Sequence, residues 1–260
     1  MSTPAALHPE WIVPGWPVAA RVRAFVTTRA GGVSLPPYDG CNLGTRCGDD
    51  AAAVSANRAQ LRACLPDEPA WLRQVHGARA VDAGLAGALA GGAGAEADAD
   101  ASYTRAAGVV CAVLVADCMP VLLANRAGTA VAVAHAGWRG MSSGVIEAAL
   151  AEMDVPTGDV VAWLGPAIGP AHFEVGDDVL AAFTQSEAAA VAAAAAFKPY
   201  PGRPGKWLCD LYALARHRLA ALGVRAVYGG GYCTVSEQRF FSYRRDKNTG
   251  RMGAFIWLMP

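Results

Sequence analysis

With 260 residues, 53% of them hydrophobic and only 17% charged, the chain has the composition of a folded protein with a large core, which excludes general disorder. Its 22 Lys and Arg balance 22 Asp and Glu, so no global field draws it to nucleic acid or to an anionic membrane. Any anion site must therefore be a local cluster of side chains.

The chain opens with "MSTPAALHPEWIVPGW", which lacks the basic and apolar regions of a signal peptide. No apolar run reaches the roughly 18 residues a membrane helix needs. Residues 1 to 20 read as a lead-in, and 1 to 260 as one domain. "VRAFVTTR" predicts a strand that ends in the Gly/Pro-rich loop "AGGVSLPPYDGCNLG". Residues 49 to 65 have helical spacing with Asp at the start. "AWLRQVHGARAV" predicts a strand with His76 near its end, and residues 84 to 99 a low-complexity, mobile connection. Residues 113 to 140 predict a hairpin, and "SSGVIEAALAEM" a helix capped by Ser142 or Ser143. "VVAWLGPAIGP" predicts a strand entering a loop, and residues 176 to 197 one or two Ala-rich helices. A further helix stops at Gly223, and "FFSYRRDKNTGRMGAFIWL" predicts two strands around a "DKNTG" turn. Strands and helices mix without a strict βαβ rhythm, so the expected class is α/β or α+β with a mixed sheet. Seven cysteines without a CxxC pair fit reduced thiols and a cytoplasmic location.

The hairpin carries the chemistry. A tight loop centred between Arg126 and Ala127 would set Cys118 directly opposite His135, close enough for two ligands of one ion or for a thiol bonded to an imidazole. A buried thiol beside a satisfied core histidine is the plain alternative. A metal needs a third donor, and among His8, His76, His172 and His217 the best placed is His76, where a strand meets a glycine. A His2Cys set with an open position is a known catalytic zinc arrangement. Asp117, next to the cysteine, is a candidate to orient His76 or His135 or to move a proton. Anion candidates are "AHAGWRGMSSG" with Arg139, "TTRAGGVS" with Arg29, and "SYRRDKNTGR" with Arg244, Arg245 and Arg251. "GPAIGP", followed by His172 and Glu174, reads as mainly structural.

From "TTRAGGVS" and "NLG" through "QVHG", "ADCMPVLL", "AHAGWRG", "LGPAIGP" and "FEVGDDV" to "FSYRRDKNTGR", the chain resembles the YfiH-type laccase-domain proteins, also called polyphenol oxidases and purine nucleoside phosphorylases. The resemblance implies a layered α/β/β/α sandwich with mixed sheets, similar to the catalytic domain of cytotoxic necrotizing factors. It places zinc ligands at His76, Cys118 and His135, and substrate or phosphate contacts at Arg29, Asn42, Arg139, Arg244 and Arg245. It further implies phosphorolysis of adenosine, inosine or methylthioadenosine, together with adenosine deamination, by a monomer or homodimer whose partners are a nucleoside and phosphate. Some relatives are described as editing a muropeptide precursor of peptidoglycan, which would suit a Cys118 nucleophile with His135 as base. Five histidines exclude a four-copper oxidase, which consumes about ten, although copper at a His2Cys site remains compatible with weak phenol oxidation. The combined H-x-E and P-C-x-x-C pattern of nucleobase deaminases is absent, so deamination would use a separate arrangement.

Overall fold

The structure, a computed structural model, describes residues 5–89, 95–185, 193 and 195–260. In chain order the elements are β1 (Val22–Val26), α1 (Ala51–Arg62), β2 (Pro69–Ala70), β3 (Leu72–Arg73), β4 (Ala80–Asp82), α2 (Ala86–Leu89), β5 (Ala97–Asp98), β6 (Ala101–Thr104), β7 (Val110–Val115), β8 (Met119–Asn125) and β9 (Val131–Ala136). They continue with α3 (Trp138–Ser142), α4 (Val145–Met153), β10 (Val160–Leu164), β11 (Glu174–Gly176), α5 (Asp177–Phe183), β12 (Phe197–Pro199), β13 (Lys206–Cys209), α6 (Leu211–Ala221), β14 (Ala226–Gly229), α7 (Tyr243–Asp246) and β15 (Met252–Leu258).

Two mixed sheets dominate, one of four strands in the order β1-β15-β7-β2 and one of six in the order β14-β10-β8-β9-β6-β4. Side-chain alternation explains how they stack. On β8, Leu122 and Ala124 face Val113, Met252 and Ile256 of the four-stranded sheet, whereas Val121 and Leu123 face the other way, toward α4 and α6. Both faces are covered, which is why β8 and β9 read as unbroken apolar runs. The outer face of the four-stranded sheet carries Phe25, Phe255 and Trp257 against Leu61 of α1. Helix, sheet, sheet and helix thus form the α/β/β/α layering. Leu122, fully buried between the sheets, is of the kind whose truncation to Ala costs ~2–5 kcal/mol.

Four local readings are corrected. Met119 pairs with Ala136 and Pro120 with His135, so the hairpin register is two residues away from the expected one. The Asn125 side chain explains the shift: it accepts from the backbone N–H groups of Thr129 and Ala130 and fixes a four-residue loop with Gly128 at φ 66°. A slip of two keeps every side chain on its expected face, so Cys118 and His135 still share one side of the sheet. Pro120, with no N–H to give, sits at the strand's end. "SSGVIEAALAEM" is split by Gly144 at φ 93°, and no serine side chain caps α4. "AWLRQVHGARAV" breaks into short strands around a bend, and "SYRRD" is the helix α7, capped by Ser242, rather than a strand. Within residues 84–99, α2 and β5 are regular, while 90–94 lie outside the described residues, as do 186–192 and 194 of the Ala-rich stretch.

Candidate metal centre and its cavity

His135 is the penultimate residue of β9, on the face that Val131 and Val133 pack between the two sheets. Cys118 lies one residue before β8, and His76 stands in the bend between β3 and β4 with φ 60°. These three segments meet at one end of the sandwich, where one donor atom from each residue lies within 4.8 Å of the others. The two imidazoles pack edge to face with centroids 4.9 Å apart. Gly137 lets them converge, because a Cβ there would lie 2.5 Å from Cys118 Sγ and 3.6 Å from the His76 ring.

The residue that builds this arrangement is Asp100, which the sequence reading missed. It is fully buried, and its carboxylate accepts from His135 Nδ1 at 2.8 Å. The same carboxylate accepts the backbone N–H groups of Val75, His76 and Gly77 at 3.1, 3.0 and 2.8 Å. Its own carbonyl accepts from the His135 N–H at 2.7 Å. One side chain therefore fixes the bend that carries His76 and the ring of His135. It also holds the proton on Nδ1, which leaves Nε2 as the donor. Burial alone would raise the Asp100 carboxyl, but the hydrogen bond and charge of His135 and the amides of Gly77 and Val75 outweigh it and hold it below the ordinary value. Asp117, expected in this orienting role, does something else. With φ 94° it accepts from the hydroxyls of Thr234 and Ser242 and from the Arg244 N–H, each at 2.6 Å, and touches neither histidine.

Burial would raise the Cys118 thiol, yet the charge and hydrogen bonds of His135 and His76 draw it below the ordinary thiol value. Burial would lower His135, yet the Cys118 thiolate and Asp100 push it up. The two shifts have one cause, since the contact that lowers the thiol is the one that raises the imidazole. One soft sulfur and two imidazole donors, with the second ring nitrogen of His135 already fastened, fit zinc, and they fit copper by donor type.

The centre opens into a cavity of about 630 Å³. Of the anion candidates, Arg139, Arg244 and Arg251 line it. Arg139 is exposed and stacks 4.4 Å over Trp138. Arg244 reaches the carbonyls of His172 and Glu174. The other three residues do not line the cavity. Arg29 lies in a separate groove, paired with Asp39 at 2.5 Å and stacked on Phe241. Asn42 is fully buried and holds the backbone N–H groups of Gly44 and Arg251. Arg245 is spent on the carbonyls of Thr234, Val235 and Phe240 and on Asp246. All three are polar residues that brace loops, so motif matching alone could not separate them from ligand contacts.

The layered sandwich with a His2Cys centre at its open end defines the class, and comparison with known proteins defines the family. Residues 23–259 match the family described as multi-copper polyphenol oxidoreductase laccase, and the chain belongs to it. It is 49% identical over 249 residues to a purine nucleoside phosphorylase of Pseudomonas aeruginosa, covering 95% of this chain and 98% of that one. With the purine nucleoside phosphorylase YfiH of Escherichia coli it shares 51% over 251 residues, at the same coverage. Among solved structures it is similar to a Neisseria meningitidis protein at 48% identity and TM-score 0.87, covering 96% and 99% of the two chains. It is also similar to YlmD of Geobacillus stearothermophilus at 30% identity and TM-score 0.83, covering 98% of each. No helix among the described residues is long and apolar enough to cross a membrane.

Proposed function

We propose that the chain is a zinc-dependent purine nucleoside phosphorylase, splitting adenosine, inosine or methylthioadenosine into free base and ribose 1-phosphate. The observation that carries this reading is the meeting of a His2Cys donor set with Arg139, Arg244 and Lys247 in one cavity. The names of relatives about half identical over nearly the full length support it. Zinc on His76, Cys118 and His135, or copper on the same donors, would supply Lewis-acid polarisation of a substrate oxygen or nitrogen. The three cations would hold phosphate so that one of its oxygens attacks C1′, where positioning and electrostatics contribute most of the rate. The bond from C1′ to the purine nitrogen breaks, its electron pair leaves with the base, and the ribose keeps the phosphate. Adenosine deamination at C6 is proposed as a second activity of the same centre.

The test is product analysis of adenosine with metal-loaded protein, with and without phosphate, beside a chelated control. Adenine formed only with phosphate and only with metal supports phosphorolysis, and inosine without phosphate marks deamination. No product in any condition overturns the reading. The pull of two imidazoles on the Cys118 thiol favours one rival, a Cys118 nucleophile with His135 as base acting on a muropeptide precursor. Iodoacetamide separates them: a metal-bound thiolate is protected until a chelator is added, whereas a free catalytic thiolate reacts at once.

A further inference from the structure

Phosphate and a nucleoside make opposite demands on a cavity. Phosphate offers acceptors and needs cations, whereas ribose hydroxyls need an acceptor and a donor side by side. The cavity wall includes two carboxylates, Asp117 and Glu96. Asp117 is occupied by two hydroxyls and the Arg244 amide. The amide of Gln74, also on the wall, is used up by the N–H and carbonyl of Leu114 at 2.7 and 2.8 Å. Glu96 is different. Its Oε2 takes Arg46 at 2.6 Å, but its Oε1 is 3.9 Å from the nearest Arg58 nitrogen, too far for a hydrogen bond.

Arg58 completes the corner. Its Nε donates to the Leu43 carbonyl at 3.0 Å, and its guanidinium lies 3.9 Å from the centre of the Trp71 ring, so the group is fixed. Its Nη2 is buried with no partner among the described residues, and its Nη1, the nitrogen 3.9 Å from Glu96 Oε1, makes no hydrogen bond to them either. Burial destabilises its charge, as expected of a cation without enough acceptors nearby. An acceptor with a free lone pair therefore stands beside Nη1 of a fixed guanidinium, whose N–H groups are unused. A hydroxyl satisfies both, and a vicinal diol does so twice. Phosphate does not suit this corner, because the Glu96 carboxylate repels it, whereas Asp117 beside Arg244 is already turned into hydroxyls and backbone.

We propose that Glu96, with Arg58, is the subsite for the ribose hydroxyls, leaving phosphate to Arg139, Arg244 and Lys247. This assignment rests on the phosphorylase reading, and the experiment separates the two. Inosine and 2′,3′-dideoxyinosine are compared as substrates of metal-loaded wild type, Glu96→Gln and Glu96→Ala. In wild type the dideoxy compound has a kcat/KM lower by about tenfold or more, the loss expected for a hydrogen bond to a charged group. In Glu96→Ala that ratio falls toward one while the KM for phosphate stays unchanged, and Glu96→Gln lies between. Because the ratio is internal to each protein, it is insensitive to the folded fraction. An unchanged ratio in Glu96→Ala, or a raised phosphate KM in its place, overturns the subsite and leaves phosphorolysis standing. If no nucleoside is split, the phosphorylase reading fails, and calorimetric binding of the same two nucleosides decides the subsite by the same ratio. Absence of inosine binding to wild type overturns both.

Discussion

Two walls of the cavity are each fastened by an aspartate, and they differ in what the fastened piece carries. On the metal wall, fully buried Asp100 ties the bend of His76 to the ring of His135. On the cation wall, half-buried Asp117 ties the Thr234 and Ser242 hydroxyls to the backbone of Arg244. The first carboxylate bonds directly to a candidate metal donor, so the local fold and the geometry of the donor set share one group. The second reaches two hydroxyls and the backbone of a residue lining the cavity, so it sets a loop's position without bonding to either histidine. Backbone strain marks both walls, with His76 at φ 60° and Asp117 at φ 94°, values that non-glycine residues adopt only when the surroundings hold them there.

The largest effect should come from the donors themselves. Cys118→Ala leaves two imidazoles, and both bound metal, read by atomic absorption, and turnover should be lost. A metal-free Cys118→Ala protein with full activity would remove the metal from the mechanism. Asp100→Asn should come next, with metal affinity lower by about 10- to 100-fold, as for other partners that orient a ligand histidine. Stability should also fall by ~1–3 kcal/mol, because buried N–H groups lose a charged acceptor. The pH dependence has a definite sign. The folded Asp100 carboxyl sits below its ordinary value, so its contribution is complete above the unfolded pKa of about 4 and is lost as pH falls through the folded one. The stability gap between wild type and Asp100→Asn should therefore be full at pH 7 and shrink in acid. A gap in urea denaturation that is independent of pH would mean that Asp100 acts through shape and not charge.

The contrast between the walls also explains what the sequence disclosed. Cys118 and His135 were legible because period-2 alternation over two apolar runs puts them on one face, and a register error of two residues leaves that face unchanged. The error itself came from Asn125, whose side chain lengthens the loop in a way hydrophobic pattern does not record. Asp100 stayed hidden because it ends an alternating run, Glu96, Asp98 and Asp100, that begins in the low-complexity connection of residues 84 to 99 and closes one residue beyond it. Alternation alone would set Asp98 and Asp100 on one face, yet Asp98 faces Arg73 at the surface while Asp100 turns inward just before β6. On the cation wall, "SYRRD" follows Phe240 and Phe241 and carries Tyr243, aromatics that suit a strand, but Ser242 caps the N–H of Arg245 and turns the chain into α7. Arg244 and Arg245 consequently reach different carbonyls, Arg244 those of His172 and Glu174 on the cavity wall and Arg245 those of Thr234 and Phe240 away from it. Adjacent identical residues carry no pattern that would separate them.

The smallest effect should belong to Asp117→Asn. The amide keeps an oxygen that can accept from Thr234 and Ser242, but its NH2 group faces the Arg244 N–H, donor against donor, where the carboxylate accepted. The first turn of α7 should shift, and Arg244 with it. The expected outcome is a phosphate KM raised several-fold, about 1 kcal/mol, with kcat changed less and metal content unchanged. That separates the walls, because Asp100→Asn should lower metal content at a fixed zinc concentration while leaving phosphate KM in the fully loaded enzyme near wild type. If Asp117→Asn instead strips metal, the two aspartates serve one centre, and the division of the cavity into a metal wall and a cation wall is wrong.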